Sequence, residues 1–417
     1  MQVFKFGGAS VNSAEAVKNM ASIVRRYYGP KLVVVVSAMG KTTNKLEQLV
    51  PGVISSADSR RQHLDELKDY HYTMVRALFA DDPQNAIFPR LDELFLQLQH
   101  QTERHPSNYN FDYDQTVSFG EIISTTIISH YLNHIGLANE WLDIRALLRT
   151  DNHYREGQVV WGITETNMRH MPDSPLVVTQ GFIAGTSDGH TTTLGREGSD
   201  YSAAILSYCL NAESMTIWKD VPGFLNADPK FFANTVKIEQ IPYNEAIELA
   251  YYGASVIHPK TVKPIQNKGI PLHIKSFLDP EKEGSAIGPF RTIKPRTPLY
   301  IFKNDQVLLS ILPKDFSFIA EDNLQTIFAA LAKTGIRVNL MQNSALSFSL
   351  CIDNNPILLK QLREELAHSF RLRYNEGLQL ITIRYYTQEI IDSIVAGRPI
   401  LLQQRSRTTT QLIVGNK

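Results

Sequence analysis

The chain has 417 residues, 43% of them hydrophobic, and its 42 Lys and Arg balance 42 Asp and Glu, so the formal net charge is zero. That balance excludes a general electrostatic grip on nucleic acid or an anionic membrane, and the length calls for two or three packed units. Only two cysteines occur, Cys209 and Cys351, both in apolar stretches. With no secretory leader pattern and no apolar run of membrane-span length, the expectation is a cytoplasmic enzyme with free, buried thiols.

In chain order, Val3-Phe4 reads as a strand that runs into Lys5-Phe6-Gly7-Gly8-Ala9-Ser10. Such a turn lets backbone approach an anion beside a fixed positive charge, and so reads as a phosphate cradle. Taken alone, a Gly-Gly pair after a strand is as readily a tight turn, and Lys5 a surface lysine. The β-branched run at 31–36, ending in Ser37-Ala38-Met39-Gly40-Lys41-Thr42-Thr43, suits a central parallel strand whose carboxyl end turns Ser37 and Thr43 toward a ligand. From about 55 to 115 only helices are expected, an insertion with a solvated charged face. There Leu64, Leu67, His71, Met74, Val75 and Leu78 recur at helical spacing, and Leu91, Leu94, Phe95 and Leu98 do so again. Ser118-Phe119-Gly120-Glu121 puts a carboxylate at a helix start. Thr179-Gln180-Gly181-Phe182 precedes a glycine- and hydroxyl-rich turn at 191–199 that carries Arg196 and runs into a helix whose N–H groups favour anions. Ile217-Trp218-Lys219-Asp220-Val221-Pro222-Gly223 then leads to Asn226-Ala227-Asp228-Pro229-Lys230. Alternating strands and helices predict an α/β fold, a mostly parallel sheet covered on both faces.

Residues 278–298 are rich in Pro, Gly and charge, which places a domain boundary there, with a first domain over 1–280 and a second over 298–417. Beyond it the patterns predict a strand at 307–312 and a helix at 323–335 built on Leu324, Ile327, Phe328 and Leu331. Strands at 338–341 and 346–352, a helix at 357–370 and a strand at 371–374 complete a βαββαβ module. A strand at 378–386, a helix at 388–396 and strands at 400–404 and 410–414 follow.

In this order and at these separations, the segments resemble aspartate kinase of the amino-acid kinase superfamily over essentially the whole chain. Pro242-Tyr243-Asn244-Glu245-Ala246 and Tyr252-Gly253-Ala254-Ser255-Val256-Ile257-His258-Pro259 extend the likeness. The resemblance implies an amino-acid kinase fold followed by ferredoxin-like ACT modules, the first at about 305–376 inserted into a split second module. Leu299-Tyr300-Ile301-Phe302 would supply that second module with a strand, and it would lack the closing helix usual in the family. The implied reaction is ATP-dependent phosphorylation of the β-carboxylate of L-aspartate to 4-phospho-L-aspartate, the opening step of lysine, threonine and methionine biosynthesis. Two alternatives stand beside it: another amino-acid kinase of the glutamate 5-kinase or acetylglutamate kinase type, and a catalytically silent ACT-domain sensor. The paired Glu121 and Arg196 motifs and the tandem tail argue against the first, and retention of Lys5, Glu121, Arg196 and Asp200 against the second.

Residue by residue, the resemblance implies that Lys5 contacts the γ-phosphoryl group, with Gly7, Gly8 and Ser10 beside it, and that Asp200 organises Lys5 or the metal-bound phosphates. Arg196 would grip the α-carboxylate with two parallel hydrogen bonds and Glu121 would take the α-ammonium group. Thr43, Phe182 and Ser199 would line the aspartate site, and Ser37, Lys219, Asp220 and Lys230 the ATP site. The local alternatives are a surface ion pair for Arg196, a helix-start carboxylate for Glu121 and an N-cap for Asp200. Mg²⁺ is expected to ride on ATP phosphates with no dedicated protein site, and His258 to be a hydrogen-bonded core residue rather than a base. The chain departs from the family pattern at Ala9 for threonine, Glu197 for glycine, Lys219 for threonine, Lys230 for arginine, and Ser255 for a lysine that contacts ATP. An effector, threonine or lysine, would bind near Val338, Asn339 and Gln342; Asn339 stands where a lysine-responsive site often has an acid. A homodimer through the ACT modules is expected, with no nucleic-acid or membrane partner.

Overall fold

Leu32–Val36 are five consecutive aliphatic residues, all buried, because they form a middle strand of an eight-stranded sheet. The computed structural model describes residues 1–29, 31–54, 56–232, 234–254, 257–315 and 317–415. Ser255, expected near the nucleotide, lies outside the described residues. The sheet runs in the order Gln240–Pro242, Ser285–Gly288, Leu272–Ser276, Ser214–Lys219, Gln2–Phe6, Leu32–Val36, Leu176–Gln180 and Glu140–Leu142. Its pairings are parallel except that of Leu272–Ser276 with Ser285–Gly288. Register sets Lys5 level with Val35 and Ile217, and Phe6 level with Val36 and Trp218. The residues that follow these three strands therefore emerge together at one edge, where open α/β sheets take their ligands. Helix Gly198–Cys209 packs against those three strands, and helix Phe119–His134 against Leu32–Val36 and Leu176–Gln180. No helix among the described residues is long and apolar enough to cross a membrane.

The helical insertion comprises Ala57–Leu78, Ile87–Thr102 and Tyr109–Val117. The first buries Leu64, Leu67, His71, Met74, Val75 and Leu78, the stripe that the helical spacing predicts, and Ser56 caps it by accepting from the Ser59 amide. Burial pushes the His71 imidazole down to about 4, so the ring is neutral and its Nδ1–H donates to the Leu67 carbonyl at 2.8 Å.

Contacts divide the chain into two units. The first is Met1–Phe224, Lys237–Ile247 and Val256–Pro295; the second is Leu225–Val236, Glu248–Ser255 and Arg296–Lys417. The Pro- and Gly-rich stretch at 278–298 is not open linker, since Ser285–Gly288 is a strand of the first unit's sheet. In the second unit, Leu225–Val236 joins the C-terminal region through hydrogen bonds and aromatic stacking. Tyr300 N donates to the Asn226 carbonyl at 2.8 Å, and Phe231 and Phe232 stack on Phe302 and Tyr300 at centroid distances of 5.0 and 4.8 Å. Arg384, buried, pairs with Glu248 at 2.6 Å.

The second unit's sheet is antiparallel, in the order Val338–Asn343, Phe348–Asp353, Leu299–Pro313, Phe370–Arg384, Thr409–Val414 and Ile400–Arg405. Two strands of fifteen residues replace four expected short ones. The polar stretches Lys303-Asn304-Asp305 and Asn375-Glu376-Gly377 read as breaks, but each is a bulge within a continuous strand, the two offset on either side of the Gln306–Leu378 pair. The register shifts there, and Asp305 and Gly377 take left-handed backbone at φ 51° and 68°. Helices Glu321–Thr334 and Pro356–Leu366 pack over Val307, Leu309, Ile311 and Leu350, and helix Gln388–Val395 over Ile381, Ile383 and Leu412. Phe328, expected in the core, is 43% exposed; Ile327, Ala330 and Leu331 carry that helix's buried face. The next expected helix ends at Leu366, so Phe370 instead opens a strand.

Candidate active site

Lys5, next to last in the central strand Gln2–Phe6, holds its Nζ 2.7 Å from Asp200 Oδ1, both groups buried. Lys219, at the end of the neighbouring strand, brings its Nζ to 3.9 Å from Asp200 Oδ2. Among the described residues neither Asp200 oxygen receives an aligned hydrogen bond, so the contact with Lys5 is chiefly one of charge. Asp200 lies in the first turn of helix Gly198–Cys209 rather than at its N-cap, which Glu197 occupies. Two ammonium groups thus converge on one buried carboxylate at the sheet edge, beside the loops that follow the strands.

Gly8 is required by close approach: a Cβ there would stand 2.8 Å from the carbonyl oxygens of both Ala38 and Gly40. Gly40 N donates to the Gly8 carbonyl at 3.1 Å, joining the two loops. A Cβ on Gly7 would meet Lys5 Nζ at 3.4 Å. Ser10 spends its hydroxyl on the Gly7 carbonyl at 2.7 Å, closing the turn Gly8–Val11. Ser37 sits at the same edge, its N donating to the Phe6 carbonyl at 3.0 Å and its carbonyl accepting from Ser124 Oγ at 2.8 Å. Thr43, half-buried, is in the short helix Thr42–Glu47.

Glu121 occupies the first turn of Phe119–His134 and is 2% exposed. Its Oε1 accepts from Ala38 N at 3.1 Å, while Oε2 has no hydrogen-bond partner among the described residues. Burial pushes the carboxyl up to about 8, against the opposing pull of the Ala38 and Glu121 amides and the Lys5 charge. Gly120 makes that depth possible, since a Cβ there would lie 2.9 Å from Ala38 Cβ. An orphaned, buried carboxylate oxygen beside a phosphate-type loop is a fitted acceptor for a ligand ammonium group.

The turns bearing Phe182 and Ser199 interlock. A Cβ on Gly181 would stand 2.5 Å from Ser199 Cβ, and one on Gly198 2.6 Å from Phe182 Cδ2. Phe182 and Glu197 both take left-handed backbone, at φ 67° and 54°. Arg196 is exposed, and with Tyr113, Arg155, Glu156, Phe182 and Gly195 it lines a cavity of about 530 Å³. Asp114, which sequence reasoning passed over, is fully buried behind this wall. It accepts from Thr193 N at 3.0 Å, Thr193 Oγ1 at 2.7 Å and Arg155 N at 2.8 Å, and burial pushes its carboxyl up to about 6. An acid on an otherwise ordinary helical segment gave no signal of this.

The remaining expected residues are more dispersed. Asp220 is exposed just past Ser214–Lys219. Lys230 is exposed in the second unit, its N donating to Asp228 Oδ1 at 2.9 Å. His258 caps helix Pro259–Asn267, its Nδ1 accepting from Lys260 N at 3.2 Å. Val338 packs on the second unit's core and Gln342 is exposed. Asn339 is spoken for internally: its Oδ1 accepts from Lys303 Nζ, and its Nδ2 donates to Gln306 Oε1 and Asp353 Oδ1, each at 2.8 Å.

A model of the amino acid kinase family matches residues 1–276. The chain is 31% identical to lysine-sensitive aspartokinase 3 of Escherichia coli, over 91% of this chain and 86% of that protein. It is also 31% identical to chloroplastic aspartokinase 1 of Arabidopsis thaliana, over 88% of this chain and 66% of that one. The crystal structure of E. coli aspartokinase III with aspartate and ADP superposes with a TM-score of 0.83 at 27% identity, covering 100% of this chain and 96% of that one.

Proposed function

We infer the chemistry from one premise: this chain belongs to the amino acid kinase family and, within it, to the aspartokinases. It is an aspartate kinase, which transfers a phosphoryl group from ATP to aspartate. The observation that supports the assignment of roles is the Lys5–Asp200 pair at the carboxyl end of the central strand, beside Gly8.

Phosphoryl transfer needs donor and acceptor held in line and the charge on the moving group neutralised. Lys5 does the second, with Asp200 fixing its ammonium group and Lys219 adding a second cation; Gly7 and Gly8 let backbone approach the phosphates. Arg196 holds the α-carboxylate and Glu121 Oε2 accepts from the α-ammonium group, which aims the β-carboxylate at the γ-phosphorus. A carboxylate oxygen forms the new P–O bond as the bond to the β-phosphate oxygen breaks, giving an acyl phosphate and ADP. The nucleophile is already ionised, so no general base is required. Mg²⁺ bound with ATP would supply further charge neutralisation, and Asp200, whose two oxygens lack aligned donors among the described residues, is the carboxylate this chain would offer toward it. Trapping with hydroxylamine tests the reaction: aspartate hydroxamate should form only with both ATP and aspartate. Hydroxamate with glutamate alone would transfer the reading to a glutamate kinase, and none with either would leave a silent sensor.

Glu121 gives this site a pH dependence with a defined sign. A raised carboxyl pKa means the folded protein keeps this proton up to about 8, so the stability it contributes is present below the ordinary value of 4.5 and is lost progressively as pH rises from there to about 8. Pairing with a ligand ammonium needs the ionised form. Aspartate KM should therefore fall as pH rises from about 7 to about 8.5, and Glu121→Gln should flatten that fall while raising KM throughout. A wild-type KM independent of pH over that interval would remove Glu121 from the ammonium site.

We place the amino-acid effector at the edge strand Val338–Asn343. There a ligand ammonium would compete with Lys303 for Asn339 Oδ1, and both lysine and threonine remain candidates. The unpaired edges of that strand and of Ile400–Arg405 support a homodimer formed by the second unit. Two free thiols, Cys209 and Cys351, whose burial pushes both up to about 12, suit the cytoplasm.

A further inference from the structure

The cavity that carries Arg196 has a second arginine on its wall that the chemistry above does not use. Arg155 holds left-handed backbone at φ 71°, a conformation that costs any residue with a Cβ and persists only when its surroundings impose it. The surroundings are identifiable. Buried Asp114 accepts from Arg155 N, and the same carboxylate accepts from both the N and Oγ1 of Thr193, two residues before Gly195. A Cβ on Gly195 would lie 3.2 Å from the Arg155 carbonyl oxygen, so the two turns touch. One carboxylate therefore ties the turn bearing Arg155 to the turn bearing Arg196.

The Arg155 side chain is also placed rather than loose. Its guanidinium lies over the Tyr113 ring at 4.4 Å and the Tyr109 ring at 5.5 Å. Stacking uses the face of the group and leaves its in-plane N–H donors for another partner. Among the described residues no carboxylate comes within ion-pair distance of it. Strained backbone, a buried acid spent on holding it, and a half-buried guanidinium with no ion-pair partner at contact distance among the described residues together point to an anionic ligand.

We propose that Arg155 is a second substrate-binding arginine, and that it sets this enzyme's preference for a dicarboxylic amino acid over its neutral amide. The proposal rests on the aspartate kinase reading. Arg196 answers one carboxylate and Glu121 the ammonium group; Arg155 makes the cavity favour the ligand that brings a second negative charge. A purely structural role, clamping Tyr109 and Tyr113, is the competing account.

Arg155→Gly separates the two, because glycine takes φ 71° without strain and only the side chain is lost. Arg155→Asn, which also tolerates left-handed backbone, is the second variant should the first misfold. Aspartate KM should rise about tenfold, with ATP KM and kcat changing much less, while the inhibition constant for asparagine stays level. Arg155→Lys should recover part of the loss. Aspartate KM unmoved, or aspartate KM and the asparagine constant rising together, would overturn the assignment. Wild-type protein without aspartate-dependent turnover would overturn the kinase reading and this assignment with it; wild-type turnover with unmoved variants overturns this assignment alone.

Discussion

Lys5→Met should lower kcat by about a hundred- to a thousandfold while changing ATP KM far less, the scale seen when one preorganised donor to a transition-state charge is removed. The same substitution strands Asp200, which is fully buried. Breaking a buried pair costs about 3–5 kcal/mol in general, and the Lys219 ammonium at 3.9 Å keeps this case toward the low end. The two effects can be separated. Lys5→Met combined with Asp200→Asn removes both charges and should recover most of the lost melting temperature while kcat stays low. Near-normal turnover in the single variant would show that Lys5 serves the fold and not the transfer.

Arg196→Lys should raise aspartate KM roughly ten- to a hundredfold with ATP KM little changed, because lysine keeps the charge but cannot make two parallel hydrogen bonds to a carboxylate. Its exposed position strengthens the test. Arg196 makes no ion pair among the described residues, so the melting temperature should stay within a degree or two and the kinetic change will not be a folding artefact. Unchanged aspartate kinetics would take Arg196 out of the site. Read with Arg155→Gly, the pair tests whether one guanidinium or two define the substrate pocket.

The departures from the family pattern also take on physical meaning. Glu197 stands where glycine is usual, and its φ of 54° is the backbone that glycine adopts without cost. Lys219, standing for threonine, is the second cation on Asp200.

What the sequence by itself determined is what local chemistry encodes. A glycine pair after an apolar strand, a carboxylate at a helix start and an arginine before an anion-binding helix are each legible within a few residues. Their order along the chain identified the family. Helical spacing likewise marked the buried stripe from Leu64 to Leu78, since a 3.6-residue period needs no knowledge of its partner. Only the tertiary structure decided features set by distant residues. Ser285–Gly288 looks like linker, yet it is a strand because Leu272–Ser276 and Gln240–Pro242 pair with it and Ser285 Oγ accepts from Phe224 N. The polar breaks at Lys303-Asn304-Asp305 and Asn375-Glu376-Gly377 became two neighbouring bulges because the ladder resumes around them, pairing Lys303 with Leu380, Gln306 with Leu378 and Leu308 with Asn375. Asp114 and Arg155 carried no signal at all. Their roles come from burial and from hydrogen bonds between segments about forty and eighty residues apart, which no window along the chain can contain.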